Sequence, residues 1–211
     1  RSRVFYFTTC GWMMWNWLVS GLLLKSTIYL YDGSPFYPNS EVLWNFVDSE
    51  KINFMGVSAK YIDALSKENI NVIGKYKLKN LETIGSTGSP LIHESFDYIY
   101  ANIKKDVSVA SLSGGTDIVG CFIGGNPMSV VRRGEIQGPI LGMDVHVYDE
   151  NANSLKNEKG ELVCIKSFPS MPLYFWNDNN NKKYHDAYFN KYENVWCHGD
   201  YILKTENNGF I

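Results

Sequence analysis

Short strand-like segments alternate with helix-like segments through the first half of the sequence. The helix candidates carry an apolar stripe at helical spacing, and Ser40 and Ser58 are of the residue type that caps helix N-termini. The predicted strands are 4–7, 27–31, 53–57, 81–84 and 107–111, and the predicted helices are 12–24, 41–51, a segment after Ser58, and 91–105. This alternation predicts an α/β fold in which a parallel sheet is flanked by helices.

The pattern changes after about residue 120, where most apolar segments are short and strand-like. The predicted strands are 130–131, 143–148, 160–166, 196–200 and 202–204, and 183–190 is the one predicted helix. We therefore expect two subdomains, an α/β subdomain over residues 1–120 and a β-rich, barrel-like subdomain over residues 121–211.

Charge and cysteine content exclude several classes of protein. The net charge is −2 and the calculated pI is about 6.1, whereas nucleic-acid-binding domains usually show a basic excess. The four cysteines, Cys10, Cys121, Cys164 and Cys197, are far apart and form no Cys-x-x-Cys motif. We expect reduced thiols, a cytoplasmic location and no nucleic-acid partner.

Residues 4–24 carry no charge, and this length would suit a membrane span. Polar side chains dilute the segment, and Trp12, Trp15 and Trp17 lie in its middle, whereas membrane tryptophans prefer the interfaces. A buried strand, a loop and a core helix explain the segment better, and a membrane anchor is the alternative.

Two loops rich in small residues follow predicted parallel strands. They are residues 85–90, Gly-Ser-Thr-Gly-Ser-Pro, and residues 111–117, Ser-Leu-Ser-Gly-Gly-Thr-Asp. Ligands of open α/β sheets bind beyond the carboxyl ends of the strands, and small residues let the backbone approach a phosphate closely. The loops therefore favour nucleotide binding, although Gly/Ser/Thr loops also follow strands that bind nothing.

A third candidate site is the segment 196–201, Trp-Cys-His-Gly-Asp-Tyr. Asp200 could accept hydrogen bonds from both hydroxyls of a ribose, or Gly199 and Asp200 could simply form a turn. His198 lacks a paired nucleophile and is more often a structural residue in such a setting. The sequence contains no Gly-x-Ser-x-Gly motif, no Walker phosphate loop and no histidine spacing typical of a metal site.

Four short motifs occur in an order that resembles the superfamily of adenylate-forming acyl-CoA synthetases. They are Gly88-Ser89-Pro90, Gly115-Thr116-Asp117, Gly134-Glu135-Ile136 and Gly199-Asp200. Within the superfamily, the segments 10–17, 30–36, 86–91, 113–117 and 198–201 are similar to the branch that activates acetoacetate. The resemblance covers essentially the whole chain.

The resemblance implies a two-step ligase reaction with ATP, Mg²⁺ and coenzyme A. An acid is first converted to an acyl-adenylate, and the thiol of coenzyme A then displaces AMP. In the first step Thr116 would hold the α-phosphate beside Gly115, and Asp117 would bind the metal, although many relatives have Glu at that position. Asp200 would hold the ribose, and the loop Gly88, Ser89 and Pro90 would line the adenine, again with Glu in many relatives where Ser89 stands.

The resemblance also implies where the acid binds. The related acetyl-CoA synthetases have a tryptophan where Gly114 stands, so a glycine would open the pocket for a longer acid such as acetoacetate. Met13 and Thr87 would line the same space. A turn requirement at Gly114 is the alternative explanation, and acetate or propionate are the alternative acids.

Both ends of the sequence look severed, because the chain starts at Arg1 and stops after a turn at residues 207–209. The superfamily's phosphate loop with its lysine and its swivelling C-terminal domain do not occur in these residues. We expect an internal piece of a longer enzyme that does not turn over by itself. The alternative is a nucleotide- or acyl-binding α/β module without catalysis; the sequence does not indicate the oligomeric state.

Overall fold

A parallel sheet of five strands forms the centre of the first part of the chain, in a computed structural model that describes residues 1–211. The strands are β1 (Arg3–Tyr6), β2 (Thr27–Tyr29), β3 (Phe54–Ser58), β4 (Thr83–Thr87) and β5 (Ser108–Ser111). Their order is β2-β1-β3-β4-β5, and every neighbouring pair is parallel. The sheet confirms the predicted α/β fold.

Helices connect successive strands along the chain, because parallel strands need crossover connections. They are α1 (Met13–Ser20), α2 (Val42–Ser49), α3 (Ala59–Lys67) and α4 (His93–Tyr98). The predicted long helices are interrupted: a 3₁₀ turn, Gly21–Leu24, follows α1, and a π-helical turn, Ile99–Ile103, follows α4.

Of the two predicted helix caps, Ser58 is confirmed and Ser40 is not. The hydroxyl of Ser58 accepts a hydrogen bond of 3.2 Å from the backbone N–H of Tyr61, so Ser58 caps α3. The prediction for Ser40 is wrong. Residue 41 is at the N-cap of α2, without a side-chain cap, and the hydroxyl of Ser40 instead donates to the carboxylate of Glu68.

The core of this first part lies between the central strands and the helices. Its fully buried members include Phe5, Met55, Ile62 and Ile84. The alternation of β-strand and amphipathic helix therefore produces the packing expected of an α/β layer.

The second part contains two three-stranded antiparallel sheets. One consists of β6 (Ser113–Gly115), β7 (Gly120–Gly124) and β8 (Gly138–Pro139), and the other of β9 (Val145–Tyr148), β10 (Lys159–Cys164) and β11 (Trp196–Leu203). One helix, α5 (Lys182–Tyr188), lies near the predicted position. The β-rich character is confirmed, but residues 130 and 131 form no strand, contrary to the prediction.

Aromatic rings dominate the core of the second part. Trp196 is 1% exposed and lies near Phe122, Phe168 and Tyr188. The first strand residue of β11 thus anchors this strand in the core.

Contacts divide the chain into two compact units. Unit 1 comprises residues 1–112 and 131–134, and unit 2 comprises residues 113–130 and 135–211. The uncharged segment 4–24 holds β1, α1 and the 3₁₀ turn of unit 1, and no helix of the chain has both the length and the apolarity needed to span a bilayer.

Candidate functional site

The loop after β4 carries the predicted adenine-binding residues of unit 1. Ser86 of β4 pairs with Ser111 of β5, so both strands end at the same edge of the sheet. The hydroxyl of Thr87 donates to the carbonyl of Leu112 at 2.9 Å, and the N–H of Leu112 donates to the carbonyl of Ser86 at 2.8 Å. These two bonds hold the start of the loop against the end of β5.

Gly88 then turns the chain away from the strand. Its φ is +87°, a conformation that side-chain-bearing residues rarely adopt, and a Cβ there would touch nothing. Gly88 and Pro90 are exposed and Ser89 is half-buried. The loop is therefore open at the edge of the sheet where α/β proteins bind ligands.

Met13 lies elsewhere in unit 1. It starts α1 and packs against a small cluster that includes Tyr6 of β1 and Leu18. In the sheet, β3 separates β1 from β4, the strand that carries Thr87. A shared acyl pocket for Met13 and Thr87 stays a prediction.

Gly114 and Gly115 of unit 2 lie on β6, where the pairing with β7 is irregular. A Cβ on Gly114 would overlap the carbonyl oxygen of Gly120 and come within 2.5 Å of the Cα of Cys121. The close approach of two backbones thus requires a glycine at position 114. This steric reason is independent of the acyl pocket that the resemblance implies.

Gly115 brings together two of the predicted sites, which lie far apart in the sequence. A Cβ on Gly115 would overlap Oδ1 of Asp117 and come within 2.7 Å of Cε1 of His198. The Asp117 carboxylate and the His198 ring therefore both lie against the backbone of Gly115. Thr116, between Gly115 and Asp117 in the sequence, is exposed.

Two hydrogen bonds fix the carboxylate of Asp117. Its Oδ2 accepts from the hydroxyl of Tyr188 at 2.6 Å, and its Oδ1 accepts from the N–H of Ile118 at 3.1 Å. A carboxylate oxygen can accept more than one hydrogen bond, so each oxygen of Asp117 can still accept another. The side chain remains half-buried and able to accept a ligand.

A β-bulge in β11 presents His198 and Asp200. Cys197 pairs with Val163 and Tyr201 pairs with Glu161, so three residues of β11 lie opposite Leu162 alone. Gly199, in the middle of the bulge, has a φ of +88°. Bulges re-aim side chains at the margins of sheets, and here the side chain of Asp200 is 53% exposed.

An ion pair braces the base of this bulge. Lys191 donates to Oε1 of Glu161 at 2.5 Å, and Oε2 of Glu161 lies 3.7 Å from the thiol of Cys197. The hydrogen bond to Glu161 raises the pKa of Lys191, which keeps its ammonium group charged. Glu161 thus contacts Cys197, immediately before the bulge, and pairs with Tyr201, immediately after it.

The His198 ring is enclosed by aromatic side chains. It meets the ring of Phe122 edge to face at 4.7 Å, and its Nδ1 is buried without a hydrogen-bond partner. Nε2 lies 3.8 Å from Oδ2 of Asp200, too far for a hydrogen bond. His198 therefore packs between the Gly115 backbone and the aromatic core.

Residues 135 and 136 of the Gly-Glu-Ile motif have a structural environment within unit 2. Ile136 exchanges two backbone hydrogen bonds of 2.8 Å with Phe210, and Glu135 accepts from the side chain of Asn207 at 3.3 Å. These contacts hold the last residues of the chain. Among the predicted site residues, unit 2 therefore brings together Gly115, Asp117 and the 198–200 bulge, whereas Gly88, Ser89, Pro90, Met13 and Thr87 belong to unit 1.

Tyr188 and the Glu161–Lys191 pair lie outside the motifs from which the functional candidates were predicted. Tyr188 is separated from Asp117 by 71 residues, and only the fold brings them together. A local signal existed, since Tyr184 and Tyr188 share one face of a short helix next to a polar tract.

Several known proteins that are similar to this chain are acetoacetyl-CoA synthetases. The acetoacetyl-coenzyme A synthetase of Rhizobium meliloti (strain 1021) is 53% identical over 210 residues, which is 100% of this chain and 32% of that protein. The acetoacetyl-CoA synthetase of Gallus gallus is 46% identical over 208 residues, 99% of this chain and 31% of that protein. No protein-family model matches the chain.

The fold is similar to a solved structure of the same kind. Acetoacetyl-CoA synthetase from Streptomyces lividans superposes with a TM-score of 0.91 at 41% identity, over 100% of this chain and 33% of that one. The chain thus spans about a third of the length of the relatives that it matches. The resemblance seen in the motifs is confirmed: over its whole length the chain is a homologue of acetoacetyl-CoA synthetases and has the fold of the corresponding third of those proteins.

Proposed function

We propose that this chain forms the central part of an ATP-dependent acid–CoA ligase, with acetoacetate as the acid. The observation that carries the proposal is the arrangement around Gly115, where a fixed carboxylate and the exposed Asp200 bulge occur in one unit. The acid and coenzyme A are those of the relatives, which are acetoacetyl-CoA synthetases. Because the chain spans only a third of them, the activity is proposed for the complete protein.

The reaction has two steps, and different residues hold the phosphate, the ribose and the adenine of the nucleotide. A carboxylate oxygen of the acid attacks the α-phosphorus of ATP and pyrophosphate leaves, which gives an acyl-adenylate. The hydroxyl of Thr116 donates to an oxygen of the α-phosphate, and Asp200 accepts from the ribose hydroxyls. The loop of Gly88, Ser89 and Pro90 lines the adenine. The thiol of coenzyme A then attacks the acyl carbon and AMP leaves.

The donor set fits a magnesium ion that arrives with the nucleotide. No group of three or more His, Cys, Asp or Glu side chains lies close enough to bind a metal by itself. Magnesium in nucleotide enzymes is commonly held by one or two carboxylates together with the substrate phosphates. Asp117 would be that carboxylate, and the ion would neutralise charge on the phosphates.

The choice of acid rests on the relatives rather than on Gly114. In this chain the backbone of β7 lies too close to Gly114 for a side chain to fit, so the glycine has a steric reason besides the pocket. Met13, Thr87 and Gly114 are proposed to line the acyl group together. A Gly114→Trp variant would test the hairpin as much as the pocket and is therefore not the best experiment.

ATP–pyrophosphate exchange by the full-length gene product tests the proposal. We expect exchange that depends on an added acid, with acetoacetate preferred over acetate, butyrate and 3-hydroxybutyrate, and thioester formation when coenzyme A is added. Acetate as the best substrate would refute the assignment of acetoacetate. Nucleotide binding without exchange for any acid would favour a binding module without catalysis.

The proposed location of the protein is the cytoplasm. All four cysteines are free, which suits a reducing compartment. Burial raises the pKa values of the Cys121 and Cys197 thiols, which favours their protonated form.

A further inference from the structure

The last residue of α5, Tyr188, contacts the carboxylate on which the proposed metal site depends. Its hydroxyl donates to Oδ2 of Asp117 at 2.6 Å. The proposed chemistry assigns no task to this tyrosine, and the bond is its one polar contact with the site. A hydrogen bond to a charged acceptor is among the stronger ones in proteins.

The surroundings of Tyr188 fix the position of its hydroxyl. The ring is stacked on the indole of Trp196, with 3.7 Å between ring centroids and 12° between planes. Phe175 and Tyr184 meet it edge to face at 5.7 Å and 5.6 Å. Tyr188 is 9% exposed and Trp196 is 1% exposed, so the ring has little freedom to move.

The hydroxyl acts together with a backbone donor. Tyr188 donates to Oδ2 of Asp117 and the N–H of Ile118 donates to Oδ1, so the plane of the carboxylate is held from both oxygens.

We infer that Tyr188 is a positioning residue whose hydroxyl orients the Asp117 carboxylate toward the metal–nucleotide complex. This inference rests on the proposed function, because it needs Asp117 to bind the metal. Outer partners of ligating carboxylates fix their orientation, and their loss commonly weakens metal binding about 10- to 100-fold. The short side chain of an aspartate makes this orientation more demanding than a glutamate would, since it has one torsion fewer with which to adjust.

The test compares two tyrosine variants of the full-length protein. Tyr188→Phe removes the hydroxyl and keeps the stacked ring, while Tyr184→Phe is the matched control on the same helix. The hydroxyl of Tyr184 donates to the carbonyl of Pro172 at 2.5 Å and does not contact Asp117. The main readout is the affinity of Mn²⁺ for the protein–ATP complex, measured by electron paramagnetic resonance, and thermal melting reports the fold.

We expect Mn²⁺ to bind about tenfold more weakly to Tyr188→Phe, and the Mg²⁺ concentration for half-maximal exchange to rise by a similar factor. Tyr184→Phe should keep the metal affinity of the wild type. In an Asp117→Asn background, Tyr188→Phe should cause no further weakening, because the two residues act as one unit.

The results that would contradict the role of Tyr188 can be distinguished from those that would contradict the proposed function. Wild-type metal affinity in Tyr188→Phe, combined with weakened binding in Asp117→Asn, would overturn the inference and leave the proposed function intact. Wild-type affinity in Asp117→Asn would overturn the inference together with the assignment of Asp117 to the metal, whereas the ligase activity itself is tested by acid-dependent exchange of the wild type. If Tyr188→Phe and Asp117→Asn each weakened Mn²⁺ binding and their effects added in the double variant, the two residues would act independently and the inference would be overturned. Equal weakening of Mn²⁺ binding by Tyr184→Phe would show a general packing effect and would overturn it as well.

Discussion

Replacing Asp117 with asparagine should lower the rate of ATP–pyrophosphate exchange by about 100-fold or more, the size of effect seen when one charge-stabilising group leaves an active site. Asparagine has nearly the same shape and can still accept from the N–H of Ile118, so the turn should be retained. What is lost is the negative charge that would meet the metal on the nucleotide. The measurement is the exchange rate of the full-length protein at saturating acid and ATP.

Asp186→Asn is the matched control for this change. Asp186 lies exposed on α5 of the same unit, so its substitution removes the same charge away from the site. We expect exchange within about twofold of the wild type, because exposed substitutions of this kind are usually small in effect. If Asp117→Asn were as active as Asp186→Asn, Asp117 would have no part in the reaction.

Gly115→Ala is expected to cause the second large loss. The added Cβ would overlap Oδ1 of Asp117 and come within 2.7 Å of the His198 ring, so at least one of these groups must move. Displacing a catalytic group by about 1 Å can cost about 100-fold in rate. We therefore expect exchange to fall about 100-fold, and overpacking to lower the free energy of unfolding by about 1–3 kcal/mol.

Gly120→Ala separates this steric effect from a general intolerance of the hairpin. A Cβ on Gly120 would meet nothing closer than 3.5 Å, although Gly120 pairs with Gly115 in the same ladder. This variant should keep both exchange and melting temperature near those of the wild type. Comparable activity of the two alanine variants would mean that the contacts of Gly115 with Asp117 and His198 do not matter for the reaction.

The parallel sheet could be predicted because each of the first four strands of unit 1 is followed by a segment with helical periodicity. Ser58 could be placed as a cap because it directly precedes the apolar face of α3. Ser40 is not the cap because α2 begins at Val42 with Glu41 at the N-cap position, and the N–H of Glu41 donates to the side chain of Asn39. The sequence pattern did not fix the helix start to this one-residue precision.

The sheet of β6, β7 and β8 was missed because its strands are short and rich in glycine, which carries no strand signal. The bulge at residues 198–200 depends on how β11 pairs with β10, so the sequence of β11 alone predicted two separate strands. Of the site, the loops could be predicted from their small residues and from the family resemblance. The Tyr188–Asp117 bond could not, since it joins segments that only the packing of α5 brings together.

The most direct test of the central claim is a crystal structure of the full-length protein with a non-reactive acyl-adenylate analogue. We expect the adenine against Gly88–Pro90, the ribose hydroxyls within hydrogen-bond reach of Asp200, and the phosphate at Thr116. An analogue bound elsewhere, or bound with Thr116 and Asp200 facing no part of it, would contradict the proposed adenylate site.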